Sequence, residues 1–467
     1  MQLPLPAEIL DEIFSYLDSD GDCQTLSSCS LVRRANWLPV ASRRLFRSLL
    51  FHAAIAYAPG YSGRRVRLAT FKDFLAFLKT CERASVYTRS LTLSGRISSG
   101  YRGPHSTGPI RSAQLSLDVL VDILRHLPKL RDLTIKSVAI CPPSMFFFPP
   151  TRPTFSLVNL EFDYQALYTS ALYPTLPMAF HLPDIISLFS SLDTLTMWSV
   201  PELRSAPETT FTLRSASREK TRLKTLKLGG SGSSNITHYL SSLSKLLSPG
   251  CVRYAHIHWI DRSPCSINSN AVETFLEGPG ARVNRFTWDI ATSPSLDHTT
   301  ATEELPALPL PALSRNPALM SLSLTRRLII DPARLLGNQR AFESVINVLL
   351  STSPKRRSRE TVLRRIRLVL VLEFHNTMDP FNPPDTPRHP DRAVVHLIRQ
   401  LRWDRLDEIV VALGWDSDEA AKTVEGALCG ISVEFQLPSL LCDVAAQARD
   451  IIITSVSRRT RDFLFMI

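Results

Sequence analysis

Glycine is scarce and proline abundant, with 17 glycines against 33 prolines in 467 residues, the reverse of average usage. Stiff, irregular connections are therefore expected in place of tight glycine turns. Also lacking is any run of about 18 apolar residues, the length a membrane-crossing helix needs. The chain opens on Pro4, Pro6, Glu8, Asp11 and Glu12 rather than on a basic stretch and an apolar core, which reads against a secretory signal. A soluble protein of the cytoplasm or nucleus is the expectation. The 8 cysteines include no CxxC pair and no even spacing, so they read as buried thiols of a reducing compartment, not as a disulfide framework.

Catalytic signatures are equally sparse. No GxSxG elbow, GxxxxGKS/T phosphate loop, HExxH zinc helix or GxGxxG dinucleotide turn occurs. Gly229-Gly230-Ser231-Gly232 follows an apolar run but lacks the lysine and spacing of a phosphate loop, and reads as a turn. Cys251, His256, His258 and Cys265 are metal-capable and close in sequence, yet their spacing matches no common zinc site. Neither a metal nor a cofactor is expected, no catalytic residue is assigned, and the chain does not read as an enzyme.

What is present is apolar material and a mild positive charge. At 44% hydrophobic and 21% charged residues the chain has enough to fold, and its length exceeds what one compact core usually holds. The 54 Lys and Arg exceed the 43 Asp and Glu by 11, enough to attract anions but modest when spread over the chain. The densest basic run, Lys355-Arg356-Arg357-Ser358-Arg359 with Arg364, Arg365 and Arg367, reads as a solvated loop and strand edge, with nuclear import or an anion contact as the other reading. No stacking aromatics interleave it, which weakens a nucleic-acid partner.

Near the N-terminus Leu5, Ile9, Leu10, Ile13, Phe14 and Leu17 fall at helical spacing, with Pro6 placed for a first turn. Leu26, Cys29, Leu31 and Val32 supply a second short apolar helix, and Trp37, Leu38, Ala41, Leu45, Phe46 and Leu49 a third. Three such helices cannot bury all of this surface among themselves, so part of it is expected to dock elsewhere. Leu5-Pro6-Ala7-Glu8-Ile9-Leu10, then Ile13-Phe14 and Tyr16-Leu17, then Cys29-Ser30-Leu31-Val32 and Trp37, resemble an F-box over the first fifty residues. The departure from that family is the acidic stretch Asp18 to Asp22 ahead of the middle helix. An ordinary helical cap on a larger domain is the other reading of these residues.

The resemblance implies a three-helix module whose apolar face packs on a Skp-type adaptor, and through it on a cullin of a ubiquitin ligase. It assigns Leu5, Pro6, Ile9, Leu10, Ile13, Leu31 and Val32 to the adaptor surface and Trp37 to the small helical core.

Beyond this module an L-x-x-L-x-L register recurs at Leu130/Leu133/Ile135, Leu157/Leu160/Phe162, Leu192/Leu195/Met197 and Leu223/Leu226/Leu228. It continues, substituted, at Val252/Ala255/Ile257, Val283/Phe286/Trp288, Leu319/Leu322/Leu324, Leu363/Ile366/Leu368 and Leu406/Ile409/Val411, with Leu91/Leu93 an incomplete early copy. The last pair of each alternates with period two, as a strand buried on one face does. Helical stretches lie between, as at 117–127, 237–247, 341–350 and 393–401. Pro-rich or polar excursions separate the copies at 94–109, 141–154, 201–218, 293–317 and 377–390.

The expected fold is α/β: an N-terminal three-helix F-box followed by an irregular leucine-rich-repeat-like solenoid, by resemblance of fungal F-box type, with parallel strands and outer helices. A parallel-sheet domain with unrelated helices is the alternative. The divisions are 1–50 for the F-box, 51–87 for a helical linker or N-terminal cap, 88–413 for the array and 414–467 for a C-terminal cap.

If the L-x-L side chains face the core, their neighbours point to the open strand face. That column holds Trp198, Lys227, His256, His258 and Asp289 as candidate substrate-binding residues, together with Lys136, Glu161, Asp163 and Arg285. An aromatic anchor with a polar rim suits a protein surface, and an ordinary solvated face is the bland alternative. The function expected is substrate recognition within a Skp-cullin-F-box ligase, with a protein substrate as partner. A scaffold with an F-box-like module, or less favourably a basic nucleic-acid-binding repeat protein, are the other classes.

Overall fold

The computed structural model describes residues 9–10, 12, 25, 28, 37–54, 70–96, 113–141, 154–164, 182–198, 220–231, 233–261, 269–292, 316, 318–330, 335–351, 363–374, 390–413, 430–436, 444–461 and 464–466. The chain divides into two compact units, Met1–Arg222 and Leu223–Ile467. Both are α/β and built on parallel strands.

In the first unit, helix α1 (Trp37–Leu45) leads into strand β1 (Ser48–Ala54). The helical spacing from Trp37 to Leu49 thus overruns the true helix end. Leu49 to Phe51 pair in parallel with Leu91 to Leu93, and Phe51 stacks on Phe74 with ring centroids 4.8 Å apart. Backbone pairing and aromatic packing outweigh the local helical pattern.

Helix α2 (Phe71–Thr80) starts from a capping box. The Asp73 N–H donates to the Thr70 hydroxyl at 3.2 Å, and the Thr70 N–H donates to the Asp73 carboxylate at 2.7 Å. Then come α3 (Glu82–Tyr87), β2 (Ser90–Arg96), β3 (Ala113–Ser116), α4 (Leu117–His126), β4 (Asp132–Lys136), β5 (Val138–Cys141), β6 (Phe155–Asp163), α5 (Leu182–Ile186) and β7 (Phe189–Trp198). β1, β2, β4, β6 and β7 pair in that order, each parallel to the next, and β3 pairs with β5 apart from them. Leu91, Leu133, Leu160 and Leu195 form one fully buried row, and α4 buries Leu120, Val121 and Leu124.

The second unit runs β8 (Arg222–Ser231), α6 (Ser233–Leu246), β9 (Tyr254–Asp261), α7 (Ser269–Glu277), β10 (Arg285–Thr292), β11 (Ser321–Ile330), α8 (Leu335–Ser351), β12 (Arg365–Phe374) and α9 (Pro390–Gln400). It ends with α10 (Arg405–Ala412), β13 (Gly430–Gln436), α11 (Val444–Ser455), α12 (Arg458–Arg461) and β14 (Leu464–Met466). Its strands β8 to β14 also pair in chain order, all parallel.

One expected strand is corrected here. Leu406, Ile409 and Val411 lie on helix α10, which buries Leu406, Ile409 and Val410 and leaves Val411 60% exposed. An i, i+3 pair fits a helix face as well as it fits the L-x-x-L register, and the 3.6-residue period prevails. Within the segment read as a C-terminal cap, β13 pairs in register with β12.

Strand starts are joined by a recurring device in both units. One carbonyl accepts from two successive N–H groups of the following strand: Arg47 from Arg89 and Ser90, Arg89 from Arg131 and Asp132, and Arg131 from Val158 and Asn159. In the second unit Arg253 accepts from Asn284 and Arg285, Asn284 from Met320 and Ser321, and Met320 from Arg364 and Arg365. Main-chain groups thus satisfy the strand starts where no asparagine ladder runs through the sequence.

Candidate functional site

The strands alternate as the L-x-L reading requires. Lys136 and Arg285 are exposed, and Glu161, Asp163, Trp198, Lys227, His256, His258 and Asp289 are half-buried, while their strand neighbours Ile135, Phe162, Met197, Ile257 and Trp288 are buried. Every candidate residue on this open face falls on a strand. They are not all in one unit, however. Trp198 closes β7 of the first, and Lys227, His256, His258 and Asp289 belong to the second.

On the first unit's open face, Ser94, Lys136, Asp163 and Trp198 share one register row across β2, β4, β6 and β7. The Lys136 ammonium lies 3.7 Å from Asp163, and the Thr134 hydroxyl donates to Glu161 at 3.3 Å. This surface is polar, already paired, and bordered by an indole.

The second unit's face is chemically different. His256 and His258 sit two residues apart on β9 and so share a face, and parallel register sets Asp289 of β10 beside His258 and Lys227 of β8 beside His256. Gly229, with no side chain, is the β8 residue in register with His258. Nδ1 of His258 lies 2.5 Å from Oδ2 of Asp289, and the two imidazoles meet edge to face with centroids 6.4 Å apart. Desolvation by burial holds the His256 imidazole below its ordinary pKa; Asp289 opposes that shift, and His258 and Lys227 reinforce it. Burial thus favours the neutral form of His256. One donor atom each from His256, His258 and Asp289 all lie within 4.8 Å of one another.

This grouping differs from the one the sequence suggested. Cys251 is half-buried ahead of β9, burial pushing its thiol up, and Cys265 lies outside the described residues. The third donor comes instead from the next strand. A sequence signal for it exists, because aligning Ile257 with Trp288 as repeat equivalents sets the residues after them, His258 and Asp289, side by side.

Of the residues assigned to adaptor docking, Leu5, Pro6, Ile13, Leu31 and Val32 lie outside the described residues. Ile9 and Leu10 are helical. Ile9 is 44% exposed, whereas Leu10 is 1% exposed and packs with Val40 and Ala41, flanked by Trp37 and Leu45. The Leu10 side chain is therefore committed within the chain, and Trp37 packs against this cluster. Of the basic run, Arg364, Arg365 and Arg367 are exposed at the start of β12, and Arg367 is ion-paired with Glu434. The stretch 355–359 lies outside the described residues. No helix among the described residues is long and apolar enough to cross a membrane.

Comparison with protein-family models, with curated proteins and with solved structures finds no match to the chain.

Proposed function

We propose that the chain is the substrate-recognition subunit of a Skp-cullin-F-box ubiquitin ligase, its N-terminal helices docking the adaptor and an irregular leucine-rich-repeat-like solenoid holding a protein substrate. The carrying observation is the ordered apolar pattern from Leu5 to Trp37 at the head of a strand-by-strand parallel array. An exposed Ile9 beside a buried Leu10 is in keeping with a helix that anchors on one side and offers an apolar residue on the other. The half-buried polar and aromatic residues of the open strand faces supply the kind of surface that recognises a protein.

In this role the chain performs no bond chemistry. It contributes proximity, raising the effective concentration of substrate lysines at the ligase-bound conjugating enzyme. The test is capture of a purified Skp-type adaptor by the full-length chain, followed by co-recovery of cullin. Binding is expected, and is expected to be lost in a Leu5→Asp, Ile9→Asp double variant. An intact chain that does not retain the adaptor, or a double variant that binds unchanged, overturns the proposal.

A further inference from the structure

We infer that His256, His258 and Asp289 form a binding site for a zinc-class divalent transition-metal ion on the open strand face of the second unit. The inference uses that unit's geometry alone and stands or falls independently of adaptor docking. Two imidazoles and one carboxylate suit a borderline ion such as Zn²⁺, whereas Mg²⁺ and Ca²⁺ favour all-oxygen shells. The fold brings these donors together without loops, because strand alternation puts both histidines on one face and the β9–β10 register adds the carboxylate. Strand-borne ligands are held more accurately than loop-borne ones.

The distances fit. Donors about 2.1 Å from a shared ion lie at most about 4.2 Å apart, and the trio already lies within 4.8 Å. Besides closing the remainder, sharing one ion requires the hydrogen-bonded Nδ1 of His258 and Oδ2 of Asp289, 2.5 Å apart, to part; both adjustments fall on side chains, the strand register being already in place. The side chains of His258 and Asp289 are 25% and 23% exposed, enough for an ion to enter from solvent. Gly229 puts no side chain beside His258 on the β8 flank. Three protein ligands leave a fourth position for water or for a donor from a molecule docked on the same face. The charged neighbour is Lys227, in register with His256; its ammonium opposes a cation, and its flexible stem lets it turn toward water.

Full-length protein stripped with a chelator and dialysed is titrated with ZnCl₂ against a chromophoric competitor, and separately with CoCl₂ by visible absorption. One zinc equivalent per chain and a cobalt ligand-field spectrum are expected. His256→Ala and Asp289→Asn each should weaken binding by at least the roughly 10–100-fold that loss of a residue merely supporting a ligand costs in metal sites. His396→Ala, on an exposed residue of α9, should leave it unchanged. Lys227→Met should tighten binding by about threefold through removal of a like charge. Circular dichroism verifies that each variant is folded, and the cobalt spectrum of the intact chain reports on the site without any substitution. An intact chain with no stoichiometric zinc or cobalt binding overturns the inference, as does a folded Asp289→Asn chain that binds zinc as tightly as the parent.

Discussion

In the first unit the column of side chains facing the helices is apolar throughout, Leu93, Ile135, Phe162 and Met197 each being 1% exposed or less. In the second, the inward-facing side chains include Trp288 on β10, in register with Leu324, and one pair further along the strands Arg326 on β11, in register with Ile290. Arg326 is 2% exposed, and its Nε and Nη2, like Nε1 of Trp288, find no hydrogen-bond partner among the described residues. Burial drives its guanidinium down to about 10, so it is still ionised at neutral pH. One repeat pattern therefore supports two cores of different cost. The first buries small hydroxyl residues such as Thr88 and Thr221 with their hydrogen bonds made but no charge, and the second carries a desolvated charge beneath α8 and α9, the helices that lie against β11.

The largest effect should come from the apolar side of this contrast. Phe162→Ala removes a fully buried ring and is expected to cost about 3–5 kcal/mol in urea unfolding followed by circular dichroism. Arg326→Met should act in the opposite direction, stabilising the chain by about 1–4 kcal/mol, because a group of similar length then fills the site without an unpaired charge. A destabilised Arg326→Met chain would show that the guanidinium is compensated and that the two cores do not differ as argued.

The pH dependence has a definite sign. With the folded-state pKa below that of the unfolded chain, the unfavourable contribution of Arg326 is complete at pH 7 and is relieved only as pH rises past about 10. The gain from Arg326→Met should therefore be constant from pH 6 to 9. Smallest is the effect of Thr70→Ala, which removes the hydroxyl of the α2 capping box and should lower stability by about 1 kcal/mol. This is a local change that leaves the contrast between the cores untouched.

Much of the strand layout was legible because buried single-faced strands impose a period of two on the chain. The pairs Leu133/Ile135, Leu160/Phe162, Leu195/Met197, Leu226/Leu228, Ala255/Ile257, Phe286/Trp288, Leu322/Leu324 and Ile366/Leu368 all lie on strands, with both members buried. The period misled at Leu406/Ile409/Val411, where three-residue spacing is shared by helix and repeat. It was silent at β1, whose residues Leu49 to Phe51 are strand only because β2 lies alongside. Arg326 was invisible for a similar reason: an arginine after Leu322 and Leu324 reads as the solvated end of a strand, and only the packing of helices over β11 buries it.

The open face divides in the same way. Alternation alone placed Lys227, His256, His258 and Asp289 outward. Their grouping came from parallel register, which joins residues 31 positions apart at His258 and Asp289, and from burial, which favours the neutral form of His256. Side-chain periodicity is a local steric property of the backbone, so the sequence by itself determined which residues turn inward or outward along each strand, and with them the α/β class. Which strands adjoin, which side chains meet across them and which charge is left desolvated depend on pairing and packing between distant segments, and only the tertiary structure decided those.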